Sequence, residues 1–176
     1  MDIKVPTLPE DKVNQFMRLI YENNSMLEMA LFIESLANVN VLANNMPLLC
    51  LGMWSENPAT VAMILDAGAD PNIMYMEKYI TEDIIRPVAH RKMTALAKGI
   101  VAGMKTEVIQ LLLEAGADPN MPCGLKEETP LHMCLNSLPL DRTVMNLLLL
   151  HGANIHLADA DGRTANDILK SQKTSA

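Results

Sequence analysis

Three apolar runs with helical spacing recur along the chain, and a glycine follows each of them. The runs occupy 61–67, 108–115 and 144–151 and precede Gly68, Gly116 and Gly152. Apolar residues three and four positions apart place an apolar stripe on one face of a helix. Glycine directly after such a helix suits the left-handed conformation that ends it. The pattern therefore predicts three helices whose stripes must be buried against neighbours.

Two short phrases frame these helices. A turn phrase follows each apolar run, reading Gly-Ala-Asp-Pro-Asn at 68–72 and 116–120 and Gly-Ala-Asn-Ile-His at 152–156. An opening phrase precedes each run, at 46–49, 93–96 and 129–132, and a fourth begins at Arg163. Proline suits the first position of a helix, and Asp-Pro-Asn suits a turn. A repeated helix–turn–helix unit predicts a stacked solenoid.

The phrases resemble the ankyrin repeat. Thr129-Pro130-Leu131-His132 and the phrase at 116–120 are close to the family consensus, and Asp161-Gly162-Arg163-Thr164-Ala165 matches the usual start of a last unit. The resemblance covers 46–171 and implies an all-α solenoid of about three repeats plus a C-terminal cap. It leaves 172–176 as a disordered tail. It also implies a protein that binds other proteins and catalyses nothing.

The first linker between repeats is longer than the others. Gly68 and Ala95 are 27 residues apart, whereas Gly116 and Pro130 are 14 apart. The extra residues fall within an extended loop at 73–92, which ends in a basic stretch. Insertions in repeat arrays tend to lie on the binding face. The alternative is a finger that folds onto its own neighbours around a small apolar cluster of Ile80, Ile84 and Ile85.

We expect a target protein on the concave side of the array. Tyr and Arg are common interface anchors, and methionine adapts to irregular surfaces. The expected contacts lie on the loops that follow the turn phrases, which we call fingers, and on the helices that begin with the opening phrases, which we call opening helices. They are Trp54, Tyr75, Met76, Tyr79, Lys98, Met121 and Leu125. For Trp54 the alternative is burial between helices.

Residues 1–45 do not follow the repeat. Leu8-Pro9-Glu10-Asp11 is typical of a helix start, and an apolar stripe follows at Val13, Phe16, Met17 and Ile20. Ser25, with Glu28 three residues later, predicts the cap of a second helix that is apolar nearly all round. One interpretation is an N-terminal cap that shields the first repeat from water.

The other interpretation is an F-box-like helical module. Leu8-Pro9 with acidic residues at the head of apolar helices is similar to an F-box, and Trp54 stands near the expected tryptophan. Together with the repeats, the segment resembles F-box/ankyrin effectors that bacteria deliver into the host cytoplasm. The resemblance implies that the module recruits the Skp adaptor of a cullin–RING ubiquitin ligase while the array holds the target. The implied adaptor contacts are Leu8, Pro9, Val13, Phe16, Met17 and Ile20.

Two features depart from those effectors. The long charged second half of an F-box is absent from 1–45. The chain ends in Lys173-Thr174-Ser175-Ala176, without the cysteine of a prenylation box, so a lipidated, membrane-associated form is not evident.

Composition narrows the choice of partner. The chain has 176 residues, a formal charge of −7 and three cysteines. An acidic chain without a clustered basic face is not expected to bind nucleic acid. No apolar run reaches the roughly 18 residues that span a bilayer. The cysteines are expected to be reduced, with Cys50 and Cys134 in the core and Cys123 exposed in a loop.

No catalytic or cofactor motif is present. The sequence has no GxSxG, phosphate-binding lysine loop, HExxH or calcium-binding loop, and its four histidines do not group as metal ligands. His132 occupies a structural position and is expected to tie backbone groups together. The remaining functional classes are a ligase substrate receptor, a plain ankyrin binder that inhibits or scaffolds, and an enzyme with the long insertion as a lid. No small-molecule substrate is expected.

Overall fold

A computed structural model describes residues 5–23, 25–80 and 88–174, and this part of the chain is mostly helical. Its α-helices are α1 (Glu10–Arg18), α2 (Met26–Glu34), α3 (Leu48–Gly52), α4 (Pro58–Asp66), α5 (Ala95–Val101), α6 (Thr106–Glu114), α7 (Pro130–Asn136), α8 (Arg142–Leu150) and α9 (Ala165–Thr174). A π-helical turn at Leu19–Asn23 extends α1, and a 3₁₀ turn at Met53–Ser55 extends α3. None of the helices described is long and apolar enough to cross a membrane.

The helices stack in two rows. Contacts link α2, α4, α6 and α8 in one row, and α3, α5, α7 and α9 in the other. Each helix of the first row buries an apolar side chain at the same repeat position: Phe32, Ile64, Leu112 and Leu148. The three predicted stripes are therefore buried between neighbouring units, as expected, and the arrangement is compatible with an ankyrin-like helical fold.

Asparagine side chains join each turn to the next. Asn72 Nδ2 donates to the carbonyl of Gly116 at 2.9 Å, and Asn72 Oδ1 accepts from the backbone N–H of Asp118 at 2.8 Å. Both bonds satisfy backbone groups of the turn that follows a helix. The same pair of bonds recurs from Asn120 to Gly152 and Asn154, and from Asn40 to Gly68 and Asp70.

The bonds of Asn40 extend the array beyond its predicted start. Asn38-Val39-Asn40 occupies the place of Asp-Pro-Asn, and α2 stacks on α4 as α4 does on α6. Ser25 caps α2 as predicted, because its side chain accepts from the backbone N–H of Glu28. Sequence reasoning missed this unit because only the final asparagine of the turn phrase survives.

The insertion forms a β-hairpin, which the all-α prediction did not include. Strand β3 (Tyr75–Ile80) pairs antiparallel with β4 (Val88–Met93), with Tyr75 opposite Met93 and Ile80 opposite Val88. The aromatic and β-branched residues of this stretch suit a strand. Two shorter strands, β1 (Leu42–Ala43) and β2 (Met46–Pro47), form a second hairpin. Ile84 and Ile85 of the predicted apolar cluster lie outside the described residues, and the side chain of Ile80 is likewise outside them.

Two of the three cysteine predictions are confirmed, and the third is wrong. Cys50 and Cys134 are buried as expected, and burial raises the pKa of these thiols to about 12 and about 11. The predicted exposure of Cys123 is wrong. Its backbone exchanges two hydrogen bonds of 2.8 Å with Glu128, and this tight turn places the sulfur 3.7 Å from the Thr94 hydroxyl in the interior. Burial also raises the pKa of Cys123.

The last repeats confirm the structural role of His132. Its Nδ1 lies 2.8 Å from the hydroxyl of Thr129, and its Nε2 lies 3.0 Å from the carbonyl of Arg163. The buried ring therefore ties α7 to the segment that leads into α9. Helix α9 continues to Thr174, three residues into the predicted tail at 172–176.

Candidate binding groove

A groove of about 920 Å³ lies between the two β-hairpins and the opening helices. It brings together four of the seven residues expected to contact a target protein: Trp54, Tyr75, Met76 and Lys98. The other lining residues come from the β1–β2 turn, β3, β4 and their neighbours: Leu42, Asn44, Asn45, Met46, Met74, Glu77, Lys78, His90 and Lys92. We call this surface the hairpin groove.

A carboxylate held by two cations forms the floor of the hairpin groove. Glu77 is 7% exposed, and its Oε1 lies 2.5 Å from Lys98 Nζ. Its Oε2 lies 2.7 Å from Arg91 Nη2 on the opposing strand. Burial alone would raise the pKa of Glu77, but the hydrogen bonds and charges of Lys98 and Arg91 outweigh burial and lower it. Glu77 thus stays ionised and fixes the position of both cations.

Tyr75 lies inside the molecule, which corrects its expected place on an exposed finger. Side chains alternate between the two faces of a strand, so Tyr75 and Glu77 share the inner face of β3. The Tyr75 hydroxyl has no hydrogen-bond partner among the described residues, and its polar neighbour is the Cys50 thiol. Burial raises the pKa of Tyr75 above its ordinary value. Tyr75 therefore anchors the hairpin to the core.

The outer face of the hairpin is apolar and cationic. Met76 stands opposite Lys92, and Lys78 stands opposite His90. All four side chains are exposed. Within the described residues, no ion pair joins Lys78 or Lys92 to a carboxylate. The sequence analysis did not identify Lys78 and Lys92 as candidate contacts. The alternation of inner and outer residues along a strand at 75–78 would have placed Lys78 on the same outer face as Met76.

The other predicted contacts are dispersed. Leu125 is exposed and lines a smaller hollow of about 310 Å³ that shares Met74, Met76, His90 and Lys92 with the hairpin groove. Met121 is half-buried and lines neither surface. Trp54 is half-buried, packed against the core while lining the hairpin groove. The side chain of Tyr79 lies outside the described residues.

The N-terminal stripe packs into the core. Val13, Phe16 and Ile20 are buried, and the Phe16 ring stacks on Phe32 with centroids 5.3 Å apart. Of the other residues expected to contact an adaptor, Leu8 and Met17 are half-buried and Pro9 is exposed. Leu8 also pairs with β1, because its backbone N–H donates to the carbonyl of Leu42 at 2.8 Å.

A different apolar surface is exposed at this end of the stack. It consists of Leu27, which is 71% exposed, and Leu31, which is 57% exposed, one helical turn apart on α2. We call it the N-terminal ridge. Sequence reasoning did not single it out, because α2 is apolar nearly all round and its buried side shows only after α4 is in place. Leu31 holds the position of Met63 in the next unit, and Met63 is half-buried.

Comparison with known proteins supports an ankyrin-repeat nature. The chain is 28% identical over 123 residues to the putative ankyrin repeat protein FPV024 of Fowlpox virus (strain NVSL). The similarity covers 70% of this chain and 18% of the viral protein, so the chain spans under a fifth of that relative's length. No family model matches the chain.

Proposed function

We propose that this chain is a non-catalytic protein-binding module that holds a partner protein in the hairpin groove. The observation that carries the proposal is the groove itself, where Trp54 and Met76 stand beside cationic side chains on a stacked scaffold. Apolar anchors with a polar rim are the common anatomy of protein interfaces. Similarity to a protein named for ankyrin repeats supports the same reading.

The titratable groups of the groove favour binding over acid–base chemistry. Glu77 is ionised and bonded to two cations, so both carboxylate oxygens are occupied. Beneath the groove, burial keeps the Cys50 thiol and the Tyr75 hydroxyl protonated at neutral pH. General catalysts need a pKa near the working pH, and none of these groups is shifted toward it.

Site-specific photo-cross-linking tests the proposal. A photoreactive amino acid at Met76, in the full chain and in the cells that express it, is expected to yield a discrete protein adduct. The same amino acid at Glu107, exposed on the other helix row, is the matched control and is expected to yield none. Trp54→Ala is expected to abolish the Met76 adduct. Equal adducts from both positions would contradict a groove-centred function.

A ubiquitin-ligase substrate receptor is the second candidate. We propose that the N-terminal end recruits the Skp adaptor while the hairpin groove holds the target, in a bacterial effector that acts in the host cytoplasm. The exposed N-terminal ridge, which lies within the same first 45 residues as Leu8-Pro9, favours this function. Val13, Phe16 and Ile20 are core residues, so the adaptor contact would use Leu8, Pro9, Met17 and the ridge. Tethering would raise the effective concentration of the target near the ligase.

Binding to purified Skp distinguishes the two candidates. The receptor model expects the intact chain to be retained on immobilised Skp, and Leu27→Asp with Leu31→Asp to abolish retention. Both positions are exposed, so the double variant should fold. Leu150→Asp is the matched control, because Leu150 is an 80% exposed leucine on α8 at the other end of the stack. If the intact chain fails to bind Skp but still gives the Met76 cross-link, the receptor model is wrong and the non-catalytic binding module is the function that remains.

A further inference from the structure

We propose that the occupant of the hairpin groove is an acidic segment of the partner protein, in which Asp or Glu residues flank an apolar side chain. The inference rests on the proposed binding function and specifies the chemistry of the partner. The inference follows from two features of the groove. Its charge is positive although the whole chain is negative, and apolar side chains lie beside the positive charges.

The groove concentrates positive charge in an acidic protein. The chain carries a formal charge of −7, yet Lys78, Lys92 and Lys98 line the groove and Arg91 supports its floor. Among the described residues that line it, Glu77 is the sole carboxylate, and two of the cations already neutralise it. The outward-facing lysines are therefore available to carboxylates of a partner, and complementary charge steers and orients such an encounter.

Apolar side chains lie between these charges. Met46, Trp54, Met74 and Met76 line the same groove, and Met74 and Met76 are exposed. Methionine adapts its shape to an incoming apolar group, and tryptophan provides a rigid apolar face. An occupant with carboxylates alone would leave these side chains in water. A segment with an apolar residue between acidic ones satisfies both features of the groove.

A nucleic acid or an anionic membrane fits the groove less well. Binding to a phosphate backbone needs an extended basic stripe, because affinity accumulates over many phosphate contacts. Here the outward cations are Lys78 and Lys92, around an apolar centre. The rest of an acidic chain would repel both kinds of polyanion.

Selection from a peptide library tests this chemistry directly. Random 12-residue peptides displayed on phage are selected on the immobilised full chain, and the enriched peptides are expected to combine Asp or Glu with Leu, Phe or Trp. A synthetic enriched peptide should bind at least about tenfold more weakly to Lys78→Glu with Lys92→Glu, and more weakly at high salt. The control Arg18→Glu with Arg142→Glu changes the net charge equally at two exposed positions outside the groove and should leave binding unchanged.

Several results would overturn the inference. The first two are a selection that enriches no peptides and one that enriches neutral or basic peptides. The third is an acidic peptide whose affinity is the same for the native chain and for the Lys78→Glu, Lys92→Glu double variant. The fourth is tighter binding of the chain to polyuridine RNA or phosphatidylserine vesicles than to the acidic peptide. Circular dichroism of each variant verifies that it is folded. The proposed function would survive these failures, because the Met76 cross-link reports occupancy whatever the charge of the partner.

Discussion

Replacing Phe16 with alanine is expected to lower the free energy of unfolding by about 3–5 kcal/mol. Phe16 is fully buried, stacks on Phe32 of α2, and extends to α3 near Gly52. The substitution removes the apolar contacts of a whole aromatic ring. It leaves a cavity between α1, α2 and α3 that the surrounding side chains cannot fill completely. Urea unfolding followed by circular dichroism measures the loss.

Leu27→Ala is the matched control for Phe16→Ala. Leu27 belongs to the same helical hairpin but is mostly exposed, so we expect its replacement to change stability by under about 0.5 kcal/mol. A cost below about 1 kcal/mol for Phe16→Ala would mean that the stripe of α1 is not core. In that case the stripe would again be a candidate contact for an adaptor.

The repeat signals could be read from the sequence because they are local. A glycine after an apolar helix and an Asp-Pro-Asn turn depend on backbone conformations a few residues long, and the structure has both at 68–72 and 116–120. The unit that ends at Asn40 lacks the glycine and the proline. It is recognisable only from the side-chain bonds of Asn40 to the following turn, and these need the folded neighbour.

The groove could be predicted only in part. The long linker indicated an extended loop at 73–92, and Met76 and Lys98, two of the residues expected to contact a target, line the groove. Their contact with a target stays a prediction. The assignment of Tyr75 to the surface failed because composition does not tell which face of a strand a residue occupies. The pairing of β3 with β4 and the ion pairs of Glu77 decide that face. Cys123 was misplaced for a similar reason, since its burial depends on a turn closed by Glu128.

Replacing Glu77 with glutamine is expected to cost about 2–3 kcal/mol of stability at neutral pH. The amide keeps the shape of the side chain but leaves Lys98 and Arg91 without their counter-charge. These two side chains are 19% and 25% exposed, so water screens part of the loss and keeps it below that of a fully buried pair. Urea unfolding at pH 7 measures the difference. Glu34→Gln, at an exposed position on α2, is the control and should change stability by under about 0.5 kcal/mol.

The pH dependence of this difference identifies its origin. The pKa of Glu77 is lowered in the folded protein from the ordinary glutamate value of 4.5, which holds for the unfolded chain. The ionised carboxylate therefore contributes its full stability above that unfolded value and loses it as the pH falls through the lower folded pKa. The unfolding free energies of the native chain and Glu77→Gln should converge on acidification. A difference that stays constant from pH 7 to pH 3 would show that the cost comes from altered packing, and that Lys98 and Arg91 do not depend on the charge of Glu77.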